Sequence, residues 1–382
     1  MSTDAGPPVF GWWPASLRAL RKDHFFLVLL GALVALTVAA PAKFVTWPAL
    51  VDWPTIFAMA GLLMLTKGVE TSGALALGGR WLIGKVGTQR LAAVCLVMLT
   101  ALLSMLLTND VALFVVVPLT LGMCRIARMP PVRLIVFEAL AVNAGSALTP
   151  IGNPQNLFLW QQSALSFGGF VWQMAPLVVV LLLMLLALTA LAFPRTPMHV
   201  DDAVPSAALD RRLLTVSLAL YLPFLVLADM HYTLGALVAV MAVFLWLRRR
   251  VLAEIDWGLL VVFVLMFVDL RLLASLDAVR GFIAGLGLDR APHLFFAGVG
   301  LSQFISNVPA AIALAEYSHD WKTIAWGVNV GGFGIGIGSL ANLIALRLSG
   351  ERGAWKVFHA WSIPFVLVAA AVGYLLLFLF AS

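Results

Sequence analysis

Apolar runs of membrane-spanning length recur along the chain, edged by charges or tryptophan. They fall at 25–42, 53–76, 134–160, 168–193, 213–230, 232–247, 257–276, 323–347 and 361–381. A hydrocarbon core about 30 Å thick requires roughly 20 apolar helical residues, so each run is predicted to be a transmembrane helix. Two further stretches, 91–124 and 292–317, are apolar arms around a polar tip. The first has arms of 17 and 14 residues, roughly 25 and 21 Å as helix, short of a full crossing. Both stretches are predicted to be re-entrant hairpins.

Polar interruptions repeat. Leu-Thr-Asn-Asp occupies 107–110, and Asn-Ala-Gly-Ser-Ala-Leu-Thr-Pro-Ile-Gly-Asn-Pro-Gln-Asn-Leu occupies 143–157. Ser302, Ser306 and Asn307 repeat the spacing of Ser104, Thr108 and Asn109, and Asn329–Leu343 aligns without a gap on Asn143–Leu157. Identities fall at Asn143/Asn329, Gly145/Gly331, Ile151/Ile337, Gly152/Gly338, Asn156/Asn342 and Leu157/Leu343. A second anchor is Asp52-Trp53 against Asp256-Trp257, each followed at the same distance by a cation, Lys67 or Arg271.

Basic residues set the orientation. With the N-terminus in the cytoplasm, 18 of the 24 Lys and Arg residues fall in inside loops, among them Arg18, Arg21, Lys22, Lys85, Arg128, the Arg248–Arg250 run and Arg352. The outside loops hold Lys43, Arg280, Arg290 and Lys322, as the positive-inside rule requires. The first hairpin then opens inward and the second outward, and the C-terminus is periplasmic. The predicted fold is an all-α polytopic membrane protein, an inverted repeat with two re-entrant hairpins and two broken transmembrane helices. It divides into a cytoplasmic segment 1–24, a first repeat 25–193, a linker 194–231 with charges at Asp201, Asp202 and Asp210, and a second repeat 232–382. Tryptophans 47, 53, 160, 172, 246, 257, 321 and 361 sit near span ends as interfacial anchors.

Composition agrees: 62% of the 382 residues are hydrophobic and 11% charged, with mean hydropathy +1.02, outside the soluble range. The net charge of +6 is scattered between apolar runs and points to topology, not to nucleic acid. Cys95 and Cys124 imply neither a disulfide nor a metal site. The run 25–42 has the outline of a signal peptide, but its length suits a retained first span better.

Backbone at membrane depth loses its water partners, so broken helices there line a cavity and end in unpaired amides and carbonyls suited to ions. One candidate hard-oxygen cage is Ser104, Thr108, Asn109, Gly145, Ser146, Thr149 and Asn153; the other is Ser302, Ser306, Asn307, Gly331, Gly332 and Ser339. Asn143, Gly152, Asn156, Asn329, Gly338 and Asn342 complete the substrate and ion site. Small residues also allow close helix packing, which accounts for the glycines but not for the repeated asparagines. Asp110 is the leading candidate for carrying a proton or binding a cation, since charge at depth is costly. Lys67 and Glu70, three residues apart, pair with each other or serve coupling. Glu138 is a candidate relay. Asp269 and Arg271 point to different faces and need partners elsewhere, with the cavity one place for Arg271. Asp229 and His231, at a span end, are read as solvated.

Leu-Thr-Asn-Asp-Val-Ala-Leu, Gly-Ser-Ala-Leu-Thr-Pro-Ile-Gly-Asn-Pro-Gln-Asn and Ser-Asn-Val-Pro together resemble the ion transporter superfamily. That group contains divalent-anion/sodium symporters, citrate permeases, arsenite permeases and a class of sodium/proton antiporters. The resemblance covers nearly the whole chain and is nearest to a bacterial inner-membrane branch of citrate-transporter-like proteins. It implies an elevator mechanism, a homodimer in the inner membrane, and no cofactor beyond Na+ or H+ as coupling ion. In the dicarboxylate symporters each tip reads Ser-Asn-Thr. Thr108, Asn109, Ser306 and Asn307 match the sodium positions, whereas Asp110 and Val308 replace the threonine that meets a carboxylate. That departure counts against a dicarboxylate and resembles the arsenite permeases. The reading is therefore a secondary transporter of a small anion or metalloid oxyacid, with cation/proton antiport as the alternative and a channel or sensor more distant. No nucleophile–base pair at depth points to an enzyme.

Overall fold

The computed structural model describes residues 20, 23–39, 41–83, 86–126, 129–197, 208–351 and 353–379. Arg18, Arg21, Lys22, Lys85, Arg128, Asp201, Asp202, Arg352 and most of the predicted N-terminal segment lie outside them. The described residues form helices and no named strand; Thr88 and Pro197 make an isolated bridge.

The helices, in chain order, are α1 (His24–Ala39), α2 (Trp47–Leu50), α3 (Trp53–Thr71), α4 (Ala74–Ile83), α5 (Gln89–Leu106) and α6 (Asn109–Ile126). Next come α7 (Val132–Ser146), α8 (Pro154–Gln162), α9 (Phe167–Ala192), α10 (Arg211–Asp229), α11 (Thr233–Glu254) and α12 (Trp257–Ala274). The remainder are α13 (Asp277–Ala284), α14 (Ala291–Ile305), α15 (Asn307–Ala315), α16 (Trp321–Gly331), α17 (Leu340–Ser349) and α18 (Ala354–Leu379). Both expected hairpins are helix pairs around a short non-helical tip, and the segments 134–160 and 323–347 are each interrupted.

Several boundaries move for physical reasons. The first hairpin's arms are 18 residues each, about 27 Å; the first changes little from the expected 17, whereas the second grows from 14 because the polar pair Asn109 and Asp110 is already helical and the helix runs on through Arg125 to Ile126. Arm length therefore no longer argues for re-entry there, and α5 by itself is long and apolar enough to cross. The second hairpin has arms of 15 and 9 residues, which stay short. The predicted run 53–76 breaks after Thr71, where Gly73 adopts φ +82° and starts α4. The run 232–247 lengthens to Glu254 through a kink at Arg248. Among the described residues five helices, α5, α9, α10, α12 and α18, have the length and composition of a span, and the bent pair Phe44–Leu50 with Trp53–Thr71 makes a sixth.

Helix starts are written in the sequence. Asp52, Asp210, Asp256 and Asp320 each accept from the backbone N–H three residues on, a cap worth about 0.5–2 kcal/mol. Asp52-Trp53 and Asp256-Trp257 form one device twice, since the Trp53 indole donates to Pro48 and the Trp257 indole to Leu252, both five residues back. Of the expected anchors, Trp172 and Trp246 are largely exposed, but Trp160 is buried and closes a turn by donating to Leu165. Asp229 is not free in solvent either: its carboxylate accepts from Phe167 N at the start of α9.

Large apolar side chains face outward along α9, α10, α11 and α18, including Leu183, Leu191, Leu222, Leu245, Leu367 and Leu375. Such surfaces belong in hydrocarbon. Inside, α5 packs on α7 and α14 on α16, at sites where glycine is required. A Cβ on Gly145 would stand 2.2 Å from the Ala101 carbonyl oxygen, and one on Gly331 would stand 2.6 Å from Ser302. Gly145→Ala and Gly331→Ala are expected to destabilise by about 1–3 kcal/mol through overpacking, read as a lower melting temperature in detergent. Gly235→Ala, with open space around it, is expected not to.

Candidate functional site

Each hairpin tip is held by its own break. At the first tip Leu107 and Thr108 leave the helix, and Asn109 N–H donates to the Gly152 carbonyl at 2.9 Å. Thr149 Oγ1 donates to the Met105 carbonyl at 2.7 Å. At the second tip Ser306 has φ +72° and ψ 157°, a conformation that costs a non-glycine residue about 1–3 kcal/mol. Ser104 and Ser302 spend their hydroxyl protons on their own helices, bonding Ala101 O and Gly298 O.

Between α7 and α8 the chain is non-helical over 147–153, and between α16 and α17 it makes only the turn Gly336–Gly338. Asparagine side chains replace the missing helix bonds. Asn156 Nδ2 donates to the carbonyls of Ser146, Ala147 and Thr149 at 3.0–3.3 Å. Its aligned partner Asn342 donates to Gly332 O at 2.8 Å, and Gly332 aligns with Ser146. Asn153 caps α8 by accepting from Asn156 N.

The two breaks then bond to each other. Asn143 Nδ2 donates to Asn342 Oδ1 at 2.7 Å, and Asn329 Nδ2 donates to Asn156 Oδ1 at 2.7 Å. Under the sequence alignment these are the same bond made twice, once in each direction. Asn143 and Asn329 also both donate to the carbonyl four residues earlier, Ala139 and Ala325. Asn153 Nδ2 adds a link to Asn329 Oδ1 at 3.0 Å, and Gln155 Nε2 one at 3.4 Å. All four repeated asparagines are at least nine-tenths buried.

Once these bonds are counted, four buried oxygens in the same segments have no partner: Thr108 Oγ1, Asp110 Oδ1, Gln155 Oε1 and Ser339 Oγ. Buried polar atoms are normally satisfied; these four stand open at the tips and breaks, while others, such as Thr55 Oγ1 and Ser362 Oγ, lie away from them. Among the expected site residues, Thr108, Asp110 and Ser339 keep free oxygen, whereas Ser104, Ser302, Asn143, Asn329 and Asn342 are bonded to protein partners. The glycines 145, 152 and 331 allow close approach; a Cβ on Gly152 would meet Ser146 O at 2.3 Å.

The other charges lie elsewhere. Lys67 and Glu70 pair with each other at 3.2 Å, both partly exposed. Arg271 does not face the tips: it binds Glu316 at 2.8 Å and the Leu50 carbonyl at 2.7 Å, and lies 4.0 Å from Asp52. With Arg280, Asp289 and Tyr317 it lines a separate cavity of about 610 Å³ at the end of α12. Glu138 is fully buried, accepts from Thr120 on α6, and leaves Oε2 without a partner. Asp269 is buried with both oxygens unpartnered.

Two amide side chains bonded at the breaks escape sequence reasoning. Gln155 lies inside the Gly-Asn-Pro-Gln-Asn motif, and Gln303 donates to Val299 O and Gly331 O while accepting from Ile335 N. An uncharged amide in an apolar arm was the available signal, and attention to formal charge passes over it.

Residues 17–328 match the model of a protein family described as citrate transporter. The chain is 47% identical over 361 residues to the inner membrane protein YbiR of Escherichia coli K12, covering 94% of this chain and 97% of that one. It is 34% identical over 307 residues to the uncharacterized transporter MJ0456 of Methanocaldococcus jannaschii, covering 78% and 82%. The crystal structure of the Alcanivorax borkumensis YdaH transporter, described as having an unusual topology, superposes with a TM-score of 0.55 at 16% identity, over 95% of this chain and 98% of that one. That likeness concerns the fold alone.

Removing one side chain from the asparagine crossing strands two or more buried groups. Asn329→Ala and Asn143→Ala are each expected to destabilise by about 1–3 kcal/mol or more, measured as loss of melting temperature in detergent. Ser306→Gly is expected to raise it by relieving about 1 kcal/mol or more of backbone strain.

Proposed function

Since the chain belongs to the citrate transporter family, a family of membrane transporters, we propose that it is a secondary active transporter of the bacterial inner membrane. It moves a small anion or metalloid oxyacid, coupled to H+ or Na+. The observation that supports this most is the paired crossing of Asn143 with Asn342 and Asn329 with Asn156. Two copies of one unit facing each other about a two-fold axis make every contact twice, and inverted repeats of that kind place their site between broken helices near the bilayer midplane.

On this reading the hairpins α5–α6 and α14–α15, with the broken helices α7–α8 and α16–α17, move as a transport unit against α3, α10, α11 and α12 in a homodimer. Shared asparagine bonds favour movement as a body, because separating the breaks would strand buried amides. The cargo lies between the tips, with Asp110 as the coupling carboxyl. A dicarboxylate suits the site poorly: Asp110 repels a carboxylate, and Val308 offers no donor at the corresponding place. A hydroxylated species that reaches the pocket neutral or weakly charged suits it better.

Cation/proton antiport is the second reading, favoured by the unpartnered Asp110 Oδ1. Proteoliposomes with an internal pH reporter separate the two. An anion transporter responds only when cargo is added, whereas an antiporter moves protons on sodium addition alone. Asp110→Asn is expected to abolish coupled transport while the protein still elutes and melts as a folded species. Coupled transport that persists in this variant would remove Asp110 from the mechanism.

A further inference from the structure

The two breaks treat their backbone amides differently. Under the alignment Gly336 stands where the first half has Pro150, and Ile335 where it has Thr149. Proline has no N–H, so the first break has one donor fewer to satisfy. In the second half both amides are taken by side chains from outside the break. Ile335 N–H donates to Gln303 Oε1 on α14 at 2.9 Å, and Gly336 N–H donates to His359 Nε2 on α18 at 3.1 Å. The other ring nitrogen, Nδ1, lies 2.7 Å from the Trp355 carbonyl.

These two contacts fix the state of the ring. A backbone N–H only donates and a carbonyl only accepts, so Nε2 is without a proton and Nδ1 carries one: His359 is a neutral imidazole. A second proton would set an N–H at Nε2 against the Gly336 N–H and end that bond. The ring is held by Trp355, stacked at 5.7 Å, and by Phe358, edge-on at 5.4 Å. Gly336 suits the approach, since a Cβ there would stand 2.3 Å from the Trp355 ring. The charged groups on the helices packed against α18 are Arg133 and Glu138 on α7, Lys322 on α16, His293 on α14 and Arg347 on α17, with Glu351 just before α18 and Lys356 within it. The first four are engaged elsewhere: Arg133 lies over Phe193, Glu138 accepts from Thr120, Lys322 lies over Trp326, and His293 reaches the Leu286 carbonyl.

The clamped turn leads directly to Ser339, the residue before α17, whose buried Oγ has no partner. We propose that His359 is a positioning residue of the second break: its neutral imidazole holds the turn Gly336–Gly338, and Ser339 with it, in the observed shape, and a second ring proton releases the turn. Histidine is the side chain whose charge ordinarily changes between about pH 5 and 8, which makes the second break, and not the first, responsive to pH. Only the consequence for cargo, weaker binding at a loosened break, rests on the transport reading; the clamp itself is independent of it.

Hydrogen–deuterium exchange of the purified full-length protein in detergent, without cargo, tests this. Rates for peptides spanning 335–340 are corrected for the intrinsic effect of pH and compared at about pH 8 and about pH 5. The amides of Gly336 and of Gly338, the latter bonded to Ile335 O, are expected to exchange at least about five-fold faster in acid, the worth of one hydrogen bond. His359→Gln offers an amide oxygen that accepts from Gly336 N–H and does not titrate, so it is expected to keep slow exchange at both pH values. His359→Phe keeps a ring and its stacking, lacks the acceptor, and is expected to exchange fast at both. Nitrogen-15 spectra of histidine-labelled protein decide the matter should His359→Phe not fold: the ring signals missing from His359→Gln are expected to show a proton on Nδ1 alone at the upper pH. Equal corrected exchange at the two pH values in the unaltered protein, a folded His359→Phe with slow exchange, a His359→Gln as responsive to pH as the unaltered protein, or a ring protonated on Nε2 at the upper pH would overturn the proposal. Exchange as expected, with no uptake of citrate, phosphate or arsenite by proteoliposomes, would count against the transport reading alone.

Discussion

A backbone amide or carbonyl inside a bilayer has no water to turn to. Wherever this chain interrupts a helix at depth, some other group must take over the bonds that the helix gave up. Most of the site's architecture follows from that obligation. The replacements are carboxamides, which present two donors and an acceptor on one short stem. Asn156 alone serves three carbonyls of the first break. A hydroxyl could serve one, and a charged group would itself require neutralising.

The asparagines also have acceptor oxygens, and those are turned across the molecule. Asn342 Oδ1 and Asn156 Oδ1 each receive an amide from the opposite break, so the same residues that mend the interruptions join them. Glycines complete the arrangement by removing side chains where backbone meets backbone, at Gly145 and Gly331 against the hairpin arms. What is left over is oxygen without hydrogen-bond partners, concentrated on the first tip. Amides do most of the joining, and the oxygens left without partners are those of Thr108, Asp110, Ser339 and the Gln155 amide.

Much of this was legible in the sequence because hydropathy and polarity act locally. Apolar runs placed the helices within a few residues, and the Asn-Gly-Asn spacing located both breaks and their alignment. Other features depend on neighbours distant in sequence. Arg271 read as a cation in search of a partner, and its pairing with Glu316 and Asp52 required the fold. Ser104 and Ser302 looked like ligands by position, but their hydroxyls turn back onto their own helices, a choice of rotamer that sequence does not record. Gln303 was passed over because amides carry no formal charge, although in hydrocarbon their bonding needs are nearly as compelling. The length of α6 exceeds the expectation because hydropathy excludes Asn109, Asp110 and Arg125 while the helix includes them.

The reciprocal asparagine bonds span 173 and 199 positions of the chain. While the polypeptide is being made, Asn143 and Asn156 reach the membrane long before Asn329 and Asn342 exist. Until then the first break has its local bonds, Asn143 to Ala139 and Asn156 to its own carbonyls, but none of those that cross to the second half. Biogenesis of the pocket is consequently a late event, completed only when the ribosome has delivered nearly the entire message.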